Sequence, residues 1–422
     1  MSRRLSEKVA FINLGCARNL VDGQVILGRL KAQGHTIVPL PQAHTVILNT
    51  CCFIQDAKQE SIDALLDLVY LKKKGKIKRV IVAGCLSERY GRDLLKEIKG
   101  IDAVMGVEKL AQEGVPREYS LTPPHSAYVK ICESCYNHCS FCIIPRLKGR
   151  FVSRSMDSVI TQVKKLDKRG VQEINLIGQD ITAYGLDLYG QLSLSRLLQE
   201  ILNETRRIRW IRLLYTYPSH ITDELIDAMA SDKRICKYID IPIQHISARI
   251  LKLMNRRTRP GDIRKLIEKI RQRIPDVFLR TTVIVGFPSE TQKDFESLLR
   301  FIKRIRFERL GAFTYSREEG TPAYDFAAQV PAAVKKRRLE ILMTEQQRIS
   351  EAKMSSLVGK TIQVLIDEKP KEMENVYMGR SEYDAPEVDG IVYIESHKKL
   401  KVGEFVSVRI TDSSEYDLMG TC

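Results

Sequence analysis

Regular alternation limits this chain more than any other feature of its 422 residues. Short apolar, β-branched runs at Lys8–Asn13, Thr45–Thr50 and Arg79–Gly84 are separated by helical patterns at Asn19–Gly34, Gln55–Tyr70 and Glu88–Ile98. Parallel strands need long crossover connections, so the pattern predicts a parallel sheet covered by helices. A longer series follows, with strand candidates Ala127–Ile131, Glu173–Ile177, Trp210–Leu214, Tyr238–Ile243, Phe278–Val285 and Arg309–Tyr315. Helical patterns such as Leu192–Asn203, Asp223–Ala230 and Gln292–Ile305 intervene. Six units in one run fit a full or partial (βα) barrel, with the active site at the C-terminal strand ends. Pro116 and Pro123-Pro124 mark a linker between the two series. A charged helix at Ala332–Ser356 leads into short runs at Thr361–Ile366, Gly390–Ile394 and Phe405–Ile410, spaced as in a small antiparallel β-barrel. The expected class is α/β: an N-terminal open parallel domain over 7–118, a central partial barrel over 125–355 and a C-terminal β-barrel over 357–422.

Composition narrows the setting. No apolar run approaches the ~18 residues of a membrane-spanning helix, and the polar start has no apolar core of a signal peptide. The expectation is a cytoplasmic protein with no membrane partner. Ten cysteines in such a chain point to metal binding or catalysis before disulfides. The formal charge is +16, yet from Leu357 onward eight Lys/Arg face thirteen Asp/Glu, a net of −5. The basic surplus lies in the first 356 residues; it suits a polyanionic neighbour such as RNA, or solubility alone.

Two sets of cysteines carry chemistry. Cys135, Cys139 and Cys142 follow C-x3-C-x2-C spacing in a loop after the first barrel strand. Three thiolates can hold one face of a metal centre and leave an open coordination position. A zinc site with His138 as fourth ligand is the alternative. Cys16, Cys51 and Cys85 each follow a different N-terminal strand. Ligands of open parallel sheets bind beyond the carboxyl ends of the strands, so these three converge on one rim. Gly15 and Gly84 precede two of them and permit close backbone approach. Three buried structural cysteines are the alternative here. Cys52, Cys132, Cys236 and Cys422 have no such placement and read as ordinary packing or, for Cys422, an exposed thiol. Among the histidines only His138 and His245 fall at the barrel mouth.

The cysteine loop, with Phe141 before its last cysteine, resembles the radical S-adenosylmethionine superfamily. Adding Cys16, Cys51 and Cys85 makes the chain similar to the methylthiotransferases, and the C-terminal segment looks like their TRAM domain. Asn13-Leu14-Gly15-Cys16-Ala17-Arg18-Asn19-Leu20-Val21-Asp22, Gln179-Asp180-Ile181-Thr182-Ala183-Tyr184-Gly185 and the segment Gly379–Gly390 resemble the RimO type. Arg18 stands where that type usually has Lys, Cys52 where it has Gly, and Gly178 where Ser is common.

The resemblance implies two 4Fe-4S clusters, one on each cysteine set, and S-adenosylmethionine as cofactor. It implies an aspartate of small-subunit ribosomal protein twelve as substrate, free or in the assembled subunit, methylthiolated at its β-carbon. An external electron donor and a sulfur donor of unknown identity are further partners. Phe141, Gln179, Gln244 and Gly286 are the expected S-adenosylmethionine contacts, with ordinary loop structure the alternative for the last three. Asp384, Glu387 and Asp389 are expected to meet a basic substrate, or to be solvated charge. The rival readings are methylthiolation of a modified adenosine in tRNA and a non-catalytic iron–sulfur sensor or RNA-binding protein. The acidic C-terminal segment speaks against a tRNA grip, which phosphate neutralisation would make basic.

Overall fold

The computed structural model describes residues 6–107 and 120–422. Pro116, and the expected domain end at 118, lie outside the described residues. The N-terminal sheet contains β1 (Lys8–Asn13), β2 (Thr36–Ile37), β3 (Thr45–Thr50), β4 (Arg79–Gly84) and β5 (Ala103–Met105), all parallel in the order β2-β1-β3-β4-β5. Every residue of β3 is buried, as a central strand covered on both faces requires. Helices α1 (Ala17–Ala32), α2 (Gln55–Lys73) and α3 (Cys85–Glu97) provide the crossovers. The edge strands β2 and β5, of two and three residues, are too short to leave a pattern in the sequence.

The central region contains β6 (Ser126–Lys130), a small hairpin of β7 (Cys132–Glu133) and β8 (Val152–Ser153), then β9 (Glu173–Ile177), β10 (Trp210–Leu213), β11 (Ile235–Asp240), β12 (Phe278–Val285) and β13 (Arg309–Thr314). Apart from the hairpin, these strands form one parallel sheet in sequential order, a six-stranded partial barrel. β11 lies three residues earlier than the sequence pattern suggested. Its apolar run continues through Ile241 and Ile243, but Pro242 has no N–H for the ladder. Period-two alternation sorts the side chains. Ile174, Leu176, Ile211, Leu213 and Ile239 join the core under the helices. Trp210, Tyr238 and Phe278, on the other face, join a second cluster with C-terminal residues.

The last five strands, β14 (Thr361–Glu368), β15 (Val376–Ser381), β16 (Val392–Glu395), β17 (Phe405–Ser413) and β18 (Leu418–Thr421), close a barrel in the order β14-β15-β16-β18-β17. One pairing, β16 with β18, is parallel, unlike the antiparallel barrel expected from strand spacing. β15 and β18 were not apparent in the sequence because each contains a glycine that weakens the strand signal. The structure needs both: a Cβ on Gly379 would lie 2.4 Å from the Leu365 carbonyl oxygen, and one on Gly420 would lie 2.6 Å from that of Arg409.

This small barrel closes the N-terminal end of the half-barrel. Its partners include the first residues of four strands: Glu173 of β9, Trp210 of β10, Phe278 of β12 and Arg309 of β13. Phe278 stacks on Tyr383 at 4.1 Å and Trp210 meets Phe405 edge-on at 4.7 Å. Arg380 forks onto Glu173 (3.0 and 2.8 Å), and Arg309 pairs with Asp384. The Tyr238 hydroxyl donates to Asp389 at 2.7 Å. Asp384 and Asp389 are therefore committed inside the chain, where they pin the C-terminal barrel to the half-barrel. This corrects the expectation that they face a substrate. Of that trio only Glu387 is exposed.

Candidate metal and substrate centre

Cys16 caps α1 just beyond β1, Cys51 follows β3, and Cys85 opens α3 directly after β4. The order β2-β1-β3 sends the chain in opposite directions from β1 and β3, which opens a crevice at their carboxyl ends. Backbone approach is close there. Gly15 has φ +89, and a Cβ on it would lie 2.7 Å from that of Cys51. Asn19 ties the two loops, its Nδ2 donating to the carbonyls of Leu14 (2.6 Å) and Thr50 (3.2 Å). All three thiols are half-buried. Burial raises Cys51 and Cys85, and Cys16 pushes both further, so the three stand within electrostatic reach of one another. In Cys16 burial is outweighed by Arg18, and its thiol is lowered.

Cys135, Cys139 and Cys142, also half-buried, lie between the β7–β8 hairpin's first strand and a short helix, α4 (Ile144–Lys148). The loop is held from several sides. Asn137 donates to the Cys135 sulfur from its backbone (3.4 Å) and side chain (3.6 Å). Its Nδ2 also reaches Asp180 (2.8 Å), which His220 holds at 2.8 Å. Arg256 approaches the Cys139 sulfur at 3.8 Å and lies 4.2 Å over the Tyr217 ring. Burial pushes Cys135 up to about 11 and Cys142 up to about 12, so these thiols hold their protons until a metal displaces them. Among the described residues no three His, Cys, Asp or Glu side chains close on a single ion.

The expected cofactor contacts divide. Gln179 and Gln244 follow β9 and β11, and each has a buried Oε1 without a partner among the described residues. Orphaned acceptors at a strand mouth suit a bound group that donates hydrogen bonds. Gln244 is further held at φ +68, its backbone fixed by Thr282 and Ile284. Phe141 meets Phe287 edge-on at 6.4 Å, which brings it beside Gly286. Gly286 has φ +70, and Lys335 occupies the space a Cβ would need, at 2.3 Å. Its freedom from a side chain therefore admits Lys335. His245 is buried, accepts from the Ser247 N–H at 2.9 Å, and burial holds it down at about 4. It is a neutral packing residue.

The N-terminal domain docks over the half-barrel mouth. Asp22 of α1 pairs with Lys130 of β6 and, at 2.9 Å, with Lys148 of α4; Glu133 joins both lysines. Glu318 receives Lys58 (3.0 Å) and Arg89 (2.8 Å). Arg18 reaches across to the Gly178 carbonyl (3.1 Å) and lies 4.3 Å over the Tyr215 ring. Its charge acts on Cys16 and Cys85 of one triad and on Cys142 of the other. Arg18 thus lies within electrostatic reach of both cysteine sets. Asn137, Asp180, Arg256 and Lys148 are supporting residues that sequence reasoning missed. Asn137 lies inside the cysteine loop and was within reach. Lys148 lies six residues after Cys142 and Asp180 directly follows Gln179, yet no spacing marks them, and Arg256 comes from a distant segment.

Family models match in chain order: the Uncharacterized protein family UPF0004 over 8–106, the Radical SAM superfamily over 129–302 and the TRAM domain over 358–422. A ribosomal protein uS12 methylthiotransferase RimO from Clostridioides difficile is 46% identical over 439 residues, covering 98% of each chain. One from Geobacter sulfurreducens is 45% identical over 440 residues, again covering 98% of each. Among solved structures, the radical S-adenosylmethionine methyltransferase TsrM from Kitasatospora setae superposes with a TM-score of 0.55 at 14% identity, over 76% of this chain and 77% of that one. That likeness is one of fold. The full-length identity is decisive, and the chain belongs to the RimO family of radical S-adenosylmethionine methylthiotransferases.

Proposed function

We propose that this chain methylthiolates the β-carbon of an aspartate in ribosomal protein uS12, using one 4Fe-4S cluster on Cys135, Cys139 and Cys142 and a second on Cys16, Cys51 and Cys85. The observation that carries the reading is that two cysteine triads from different domains lie within electrostatic reach of one residue, Arg18, in a chain aligned end to end with uS12 methylthiotransferases. When bound, the clusters and S-adenosylmethionine supply a carbon radical able to take an unactivated hydrogen, and a methylthio group.

The chain's own residues supply position. Asn137 and Arg256 donate toward the thiolates of Cys135 and Cys139 and stabilise their ionised form. Gln179 and Gln244 offer acceptors to S-adenosylmethionine, and Phe141 offers an aromatic face beside its cluster. The buried Asp22–Lys130–Glu133–Lys148 network fixes α1, which starts at Cys16, against the segments that flank the radical loop. It thereby sets the separation of the two triads. The small barrel's net charge of −5 favours approach of a basic ribosomal protein over RNA. No helix among the described residues is long and apolar enough to cross a membrane, and a ribosomal substrate places the reaction in the cytoplasm. An external reductant is required.

The test is anaerobic reconstitution followed by iron analysis and mass spectrometry of uS12, free and in small subunits, with tRNA in parallel. About eight irons are expected in wild type, and about four after Cys→Ala replacement of either triad. Loss of Cys135, Cys139 and Cys142 should abolish 5′-deoxyadenosine formation. Loss of Cys16, Cys51 and Cys85 should leave it while abolishing methylthiolation. A methylthio group found on tRNA alone would refute the reading.

A further inference from the structure

Arg18, within electrostatic reach of both triads, is a cation with no carboxylate partner among the described residues. Buried cations elsewhere are matched: Lys148 with Asp22, Arg380 with Glu173 and Arg309 with Asp384. Arg18 forms no ion pair among the described residues. Its Nη1 donates to the Gly178 carbonyl and its plane lies over Tyr215. Arg256 also lacks a carboxylate, but it is committed to the radical loop, donating to the Cys139 sulfur and the Pro242 carbonyl.

A guanidinium has more donors than these contacts use. The platform under it is rigid and strained. Tyr215 is held at φ +66, its N–H bound to Asp240 (3.0 Å) and its carbonyl to the Ile181 N–H (3.1 Å). Strain of this kind persists where the surroundings over-determine it, and it collects at functional sites. A carboxylate brought between the two triads sheds water and is tolerated only beside a positive partner. Arginine, with its planar fork, is suited to that task.

We propose that Arg18 is the residue that recognises the carboxylate of the substrate aspartate and selects an acidic side chain over its neutral amide. The inference rests on the uS12 methylthiotransferase reading. Its test compares equilibrium binding of uS12 with that of uS12 carrying Asn at the target aspartate, by fluorescence anisotropy with the reconstituted holoenzyme. The readout is the Asp/Asn affinity ratio within each enzyme, which cancels any general loss of binding; iron content is measured alongside.

Wild type should prefer the Asp form by roughly 30-fold or more, the scale expected when a buried charge loses its partner. Arg18→Gln and Arg18→Met should bring the ratio close to one, and either suffices if the other fails to load iron. Arg18→Lys, which keeps the charge, should restore most of the preference. A wild-type ratio retained in Arg18→Gln or Arg18→Met overturns the inference. So does a ratio of one in Arg18→Lys, because shape and not charge would then be responsible. Wild-type enzyme that methylthiolates no uS12 overturns the functional reading and this inference with it. Methylthiolation with an unchanged ratio in the variants overturns this inference alone.

Discussion

The half-barrel has two ends, and they differ in how completely their polar groups are satisfied. At the base, Glu173 accepts from Arg380 (3.0 and 2.8 Å), Arg212 (3.2 Å) and Ser126 (2.8 Å), with no exposed surface. Arg212 then turns its other donors to the carbonyls of Glu382 and Ser381 in the C-terminal barrel. At the mouth, the Gln179 and Gln244 oxygens lack partners, Tyr215 and Gln244 sit at positive φ, and Arg18 has no carboxylate. Polar groups at the base serve the fold, while those at the mouth suit the bound groups proposed above.

The sharpest way to break this contrast is at Glu173. Replacement by Gln leaves Arg380 and Arg212 buried with a weaker partner. Losing one member of a buried ionic cluster costs about 3–5 kcal/mol. Urea unfolding should show that loss, with the C-terminal barrel released from the half-barrel. Burial alone would raise the Glu173 carboxyl, but Arg380 and Arg212 outweigh it and hold it down at about 2. A depressed carboxyl stabilises the fold above its unfolded value of roughly 4.5, and the contribution fades as pH falls from there toward 2. Wild type should therefore lose stability across that window more steeply than Glu173→Gln. Equal slopes would mean that the base is not held by this charge.

Much of this architecture was legible in the sequence, for a physical reason. β3 is buried on both faces, so its apolar run is continuous through Val46, Ile47 and Leu48, while β9 alternates Ile174 and Leu176 with Glu173 and Asn175. Cys16, Cys51 and Cys85 could be placed on one rim because strand ends of a parallel sheet share it, whereas Cys135, Cys139 and Cys142 stood out by spacing alone. Interdomain partners were not. Asp384 and Asp389 look like solvated loop charge until the fold brings Arg309, Arg280 and Tyr238 to them. Arg18 registered only as a replacement for the usual Lys, because its importance comes from Gly178 and Tyr215, more than 150 residues away.

The mouth offers a smaller perturbation at Gly178, the residue whose carbonyl holds Arg18. A Cβ there would lie 2.3 Å from the Cys132 sulfur, which itself approaches the Asp180 carbonyl at 3.6 Å. Cys132 therefore fills the space that a side chain at 178 would occupy. Gly178→Ala should cost about 1–3 kcal/mol by overpacking. Adding Cys132→Ala should recover most of it, a non-additive pair measurable in a double-mutant cycle. Additive losses would show that the strain is relieved elsewhere, and that the two positions do not share one space.

The smallest effect belongs to Glu387, which shares a loop with the buried Asp384. Asp384 is buried on Arg309 and bonds the Ser381 hydroxyl at 2.6 Å, whereas Glu387, three residues on, is exposed. Asp384→Asn should destabilise by an amount near that of Glu173→Gln, because Arg309 is left buried beside a neutral group. Glu387→Gln should stay within about 0.5 kcal/mol of wild type, as exposed substitutions do. If Glu387 steers the basic substrate, its loss should instead lower the rate of uS12 association, and the deficit should vanish as salt rises. Stopped-flow association at two ionic strengths reads this directly. A salt-independent deficit would point to a direct contact, and no deficit would leave the loop with its buried role alone.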